Sequence, residues 1–118
     1  MADVNGSSAI ARPSWSSVVE LLRRLGETQE PFEAAGARQY RIVRYERDWR
    51  VLLDGGASTR WVELENIRTC WETFERLGRI EREDVLEPGR CSSFMLALFD
   101  QLPGVERARD DAAALVLA

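Results

Sequence analysis

The sequence predicts an α+β fold, a small antiparallel meander of three or four strands with about three helices packed on it. Three observations lead there. Tyr40-Arg41-Ile42-Val43-Arg44-Tyr45, Trp49-Arg50-Val51-Leu52-Leu53 and Arg60-Trp61-Val62-Glu63-Leu64 are rich in β-branched and aromatic residues, and turn residues bound each run. Immediately afterwards Ile67, Cys70, Trp71, Phe74 and Leu77 recur at three and four residues, the spacing of one helical face. Apolar stripes before and after this central stretch supply the other helices.

Met1 to Arg12, with Asn5-Gly6-Ser7-Ser8, reads as a frayed tail with nothing to bury. Pro13-Ser14 signals a helix start, Ser14 being the N-cap. Trp15, Val18, Val19, Leu22 and Leu25 form its stripe, and Gly26 stands where a left-handed residue ends it. Arg23 and Arg24 then fall in the last turn, where cations favour the helix dipole. Glu30 to Ala34 reads as a short first strand, confined by Pro31 to an edge or to a strand's opening residue, and Gly36 turns it into the next. Glu46-Arg47-Asp48 and Asp54-Gly55-Gly56 are hairpin links. Asn66 caps the second helix and Gly78 ends it. Glu83 to Leu86 reads as one helical turn before Pro88-Gly89. Ser92 or Ser93 caps a third helix with Phe94, Met95, Leu98, Phe99 and Leu102 in the core, stopped by Pro103-Gly104. Residues 13–106 thus make one domain, and residues 107–118 a tail or a short terminal helix.

A chain of 118 residues buries a core without metals or disulfides, and 45% hydrophobic with 31% charged residues is an ordinary globular composition. The longest apolar runs, such as Phe94 to Phe99, fall far short of the ~20 residues that cross a bilayer. Met1 to Pro13 lacks the pattern of a signal peptide, so the expected compartment is the cytoplasm. The formal net charge of -4 argues against a general affinity for phosphate backbones. All 16 basic residues are Arg, planar forks suited to bidentate contacts and to stacking on rings. His is absent, which removes the commonest general base and the commonest metal ligand.

No catalytic signature emerges from the remaining groups. Cys70 and Cys91 lack the further ligands of a zinc site; Cys70 reads as a buried small hydrophobe, and Cys91, beside Arg90, as a packing or capping residue without a His to serve as its base. Asp54, Glu63 and Glu65 are spaced like the acidic hairpin of metal-dependent nucleases, but Glu65 stands where that pattern requires Lys. Neither metal nor cofactor is expected.

Strand parity carries the functional reading. With simple hairpin registers, Tyr40, Ile42, Trp49, Val51, Leu53, Val62 and Leu64 share one face, and Arg41, Val43, Tyr45, Arg50, Leu52, Trp61 and Glu63 the other. The first set is a core. The second mixes rings and guanidinium groups, as a surface for stacking bases and holding phosphates does; a partly covered sheet face, with Arg stems lying on Trp61 and Tyr45, has the same composition.

The succession of Phe32, Tyr40-Arg41-Ile42, Arg60-Trp61-Val62, the Trp71 helix, Asp84-Val85-Leu86 and Ser92-Ser93-Phe94 to Leu102-Pro103 resembles small uncharacterised bacterial modules that accompany restriction or defence proteins. The resemblance covers Pro31 to Val105. It implies an accessory α+β module near nucleic-acid chemistry, without a catalytic centre of its own. The expected function is therefore a non-enzymatic binding or regulatory module that docks a macromolecule, nucleic acid or protein, through Arg41, Tyr45, Arg50 and Trp61. The alternative is an acidic inhibitor or immunity-like protein whose Glu81, Glu83, Asp84 and Glu87 face a basic protein partner. Exposure of Trp61 discriminates between an open and a covered sheet face.

Overall fold

Ser14 adopts the extended N-cap conformation, and its N–H donates to Ser17 Oγ at 3.0 Å, so the first helix, α1, runs Trp15–Thr28 and buries Val18, Leu21, Leu22 and Leu25. The computed structural model describes residues 12–33, 39–81, 92–110 and 114–117. Gly26 does not end α1. The left-handed cap is Gln29, φ 58°, whose N–H donates to the Leu25 carbonyl at 2.8 Å. Gly26 serves a close approach instead, since a Cβ there would meet the Tyr45 Cβ at 3.0 Å. The longer helix also takes Arg23 and Arg24 out of the last turn, and Arg23 pairs with Glu20 and Glu27 on the exposed side.

Strands β1 (Arg41–Glu46), β2 (Arg50–Asp54) and β3 (Thr59–Glu63) form an antiparallel sheet in that order. The expected fourth strand is reduced to one bridge, Phe32 against Tyr40. In the first hairpin Asp48 takes φ 60°, a conformation that Asp tolerates better than most residues. In the second, Asp54 Oδ1 accepts the Gly56 N–H at 2.8 Å while Gly56 supplies φ 100°.

The helix α2, Leu64–Leu77, follows β3 without a loop: Glu63 is its N-cap, and Leu64 N–H still donates to the Trp49 carbonyl at 2.8 Å. Asn66 is therefore inside the first turn and is not the cap. Leu64, Ile67, Cys70, Trp71 and Phe74 are buried, whereas Leu77, last in the stripe, is exposed. Gly78, φ 73°, ends α2 as expected, its N–H bonded to the Phe74 carbonyl at 2.7 Å.

A second antiparallel sheet has the order β4-β6-β5, built from β4 (Arg79–Ile80), β5 (Val105–Arg107) and β6 (Leu115–Leu117). This corrects the expected terminal helix or tail, because β6 is the central strand and bonds to both neighbours. The third helix, α3, Ser92–Asp100, lies at the centre of the core. Phe94, Met95, Leu96, Ala97, Leu98 and Phe99 are all buried, so this helix is apolar on every side. Phe94 meets Phe32 and Tyr40 at 6.1 and 5.9 Å, Phe99 meets Trp71 and Phe74 at 5.3 and 5.9 Å, and β5 and β6 pack on the same helix. Trp71 Nε1, fully buried there, has no hydrogen-bond acceptor among the described residues. None of the helices is long and apolar enough to cross a membrane, among the described residues.

The second sheet is tied to the segment before β6 by Arg79, which reaches Asp110 with both Nη atoms at 3.1 and 3.4 Å and Glu81 with Nε at 3.2 Å. The hydrogen bonds from Arg79 hold the Asp110 carboxyl below its ordinary value. A depressed carboxylate contributes stability at neutral pH that is lost as the pH falls through its folded-state midpoint. Arg79→Gln is expected to move the Asp110 midpoint upward, read by NMR titration of the side-chain carboxyl; an unmoved midpoint would remove Arg79 as the cause.

Candidate binding face

The first sheet has a buried face and an open one, and a β-bulge decides which residues go where. Ile42 opposes Leu53 but Arg44 opposes Leu52, so Val43 is an extra residue in β1 and parity inverts after it. Gln29 Nε2 donates to the Val43 carbonyl at 3.1 Å, giving the bulged residue a partner from the end of α1. Tyr45 consequently opposes Val51 and packs half-buried against the core beneath α1. It does not share a face with Arg41, Arg50 and Trp61, which corrects its expected place in the binding surface.

Three rungs make the open face. Glu46, Arg50 and Glu63 form one, Arg44, Leu52 and Trp61 the next, and Arg41, Asp54 and Thr59 the last. Trp49, expected in the core, is 54% exposed, and Trp61 is 40% exposed. The two rings enclose Arg50, whose guanidinium carbon lies 3.7 Å from each ring centroid. Arg50 Nε donates to Glu46 Oε1 at 2.9 Å, and Glu46 also pairs with Arg44 at 3.3 Å. The outcome is a Trp-Arg-Trp stack with a fixed central cation and two aromatic outer surfaces.

The stack changes what the face can do. Both flat sides of the Arg50 guanidinium are covered, so no base can stack on it. The rungs hold three arginines, Arg41, Arg44 and Arg50, against three carboxylates, Glu46, Asp54 and Glu63. Such a balanced surface gives little counterion release on a phosphate backbone. Exposed indoles over a fixed cation suit a protein surface better, since Trp and Arg anchor protein interfaces. Sequence reasoning found Arg41, Arg50 and Trp61, but missed Trp49, Arg44 and Glu46. The position of Trp49 next to Arg50 in a tight hairpin was the available signal for the first of these.

Asp54 and Glu63 stand at opposite ends of the β2–β3 ladder, facing Thr59 and Arg50, so the acidic-hairpin spacing gathers no site. Of the alternative acidic patch, Glu81 is half-buried and accepts the Arg79 bond; Glu83, Asp84 and Glu87 lie outside the described residues, as do Gly36, Pro88-Gly89 and Cys91. Comparison of the chain with protein-family models, with curated proteins and with solved structures finds no match in any of the three.

Proposed function

We propose that the chain is a non-enzymatic binding module of the cytoplasm that docks a protein partner through the open face of its first sheet. The observation that carries this reading is the Trp49-Arg50-Trp61 stack, two large rings held in the solvent by a cation that Glu46 fixes from below. Rings already immobilised lose little conformational freedom on docking, which is the property that makes such residues interface anchors. The resemblance to modules accompanying restriction or defence proteins agrees with a docking role and adds no residue to it. A protein partner is favoured over nucleic acid because both faces of the Arg50 guanidinium are occupied and the charge of the three rungs is balanced.

The test is a photo-crosslinking phenylalanine analogue at Leu52, in the middle of the open face, with the same analogue at exposed Arg76 on α2 as the control. Crosslinking in an extract of the source cells is expected to trap a protein from position 52 and not from 76. Adding Trp49→Ala and Trp61→Ala is expected to lower the yield at least about tenfold, the effect of losing an interface anchor. A nucleic acid trapped at 52, or equal yields at 52 and 76, would overturn the reading.

A further inference from the structure

We infer that β3 accepts an extended basic segment of the protein partner as a fourth strand of the first sheet. This rests on the docking reading above and names the chemistry of the partner. In the order β1-β2-β3 the two edges are unlike. Beside β1, Gln29 bonds the bulge carbonyl and Phe32 bridges Tyr40, with donor–acceptor distances of 3.1, 2.9 and 2.8 Å. No strand pairs with the far side of β3 among the described residues, and Thr59, Arg60, Trp61 and Glu63 are exposed.

The phase of the ladder fixes which backbone groups are free. Leu64 N–H donates to the Trp49 carbonyl at one end, and Gly55 N–H to the Ser58 carbonyl at the other, at 2.8 and 3.2 Å. Because hydrogen-bonded and non-hydrogen-bonded pairs alternate in an antiparallel ladder, Val62 and Arg60 turn their N–H and C=O groups toward β2. Thr59 and Trp61 therefore turn both groups outward and Glu63 its N–H, the Glu63 carbonyl being taken as the N-cap of α2, in the spacing that an added strand requires. Neither Pro nor a bulge blunts this edge.

The side chains of the same three residues specify the charge of the incoming strand. Glu63 faces Arg50 across the ladder, yet Arg50 gives its hydrogen bond to Glu46, and Glu63 has no ion pair among the described residues. One face of the Trp61 ring is covered by Arg50, which leaves the other for a second cation. An Arg or Lys on the added strand would extend the stack to Trp49, Arg50, Trp61 and then itself, with Glu63 as its counter-charge. The net charge of -4 steers a basic segment toward the chain. The basic partner of the acidic-patch alternative thus finds its complement at a different surface.

The experiment titrates the full chain with two labelled peptides of equal length, one alternating Arg with Val and the other Glu with Val, and follows amide exchange by NMR. The Arg-Val peptide is expected to bind at least about tenfold more tightly, and Glu63→Arg to cancel that preference. Binding is expected to slow exchange at Thr59, Trp61 and Glu63 while leaving the already bonded Arg60 and Val62 amides unchanged, a pattern that docking flat on the open face does not produce. Equal binding of the two peptides, or protection elsewhere, would overturn the inference. So would protection of those three amides without peptide together with a doubled mass by light scattering, since a second copy would then occupy the edge. If the Arg-Val peptide fails while the Leu52 crosslink to protein persists, the strand inference falls and the docking face stands; loss of both removes both.

Discussion

Phe99→Ala is expected to destabilise the protein by about 3–5 kcal/mol, the cost of removing a large aromatic side chain from a core that cannot close around the gap. Phe99 is fully buried and lies against Trp71 at 5.3 Å and Phe74 at 5.9 Å, while those two rings meet each other at 5.4 Å. Truncation removes two of the three contacts in that trio as well as the buried area. Because α3 is enclosed by the second sheet, by α2 and by the Phe32–Tyr40 bridge, none of its neighbours can move inward without leaving another. Small domains are stable by only about 5–15 kcal/mol, so a loss of about 3–5 kcal/mol removes a large fraction of the total. The check is urea unfolding followed by circular dichroism, with Phe99→Leu as the companion that keeps most of the volume and loses less. A loss below about 1 kcal/mol for Phe99→Ala, the level of an average substitution, would mean that α3 is not the centre of the core.

Gly26→Val should cost about 2 kcal/mol, in the range of an overpacked core position, although glycine inside a helix is ordinarily a weakness that a side chain relieves. The hypothetical Cβ lies 3.0 Å from the Tyr45 Cβ, 3.6 Å from Ile42 Cγ2 and 3.6 Å from the Tyr45 backbone nitrogen. A Cβ cannot rotate away, and the Tyr45 nitrogen belongs to a strand, so α1 must lift from β1. Gly26→Ala sets the gain of about 0.5–1 kcal/mol in helix propensity against the same contact and is expected to show no net stabilisation. Thermal unfolding of both variants decides the matter. A Gly26→Val protein as stable as the parent would show that α1 and β1 can separate freely, and that the glycine has no packing role.

Much of this architecture is legible in the amino-acid order, and the failures have identifiable causes. Val51, Leu53 and Val62 point inward as period two requires, because β2 and β3 pair without irregularity. Tyr45 was misplaced because the bulge at Val43 has no marker; valine is a good strand residue and nothing in its neighbourhood signals an extra position. Gly26 and Gly78 look alike in sequence, each following an amphipathic stretch, yet one permits a close approach and the other supplies a left-handed cap. Only the partner strand distinguishes them. The second sheet escaped notice since its strands have two or three residues each, too short for alternation to register, and since Asp110 to Leu115 is rich in alanine. Of the open face, the Arg50 and Trp61 pair and the adjacency of Trp49 to Arg50 were readable, but the left-handed conformation of Asp48 in the turn before Trp49 was not.

Three of the four tryptophans also divide into two optical signals, with the half-buried Trp15 between them. An excited indole relaxes by reorienting the dipoles around it, so Trp71, set among hydrocarbon with its N–H unanswered, should emit toward the blue, and Trp49 and Trp61, beside water and a guanidinium, toward the red. A ligand settling on the outer surface would dim or shift the long-wavelength component and leave the short-wavelength one in place. Unfolding would merge the two, so the intrinsic ultraviolet spectrum separates occupancy from integrity without any added dye.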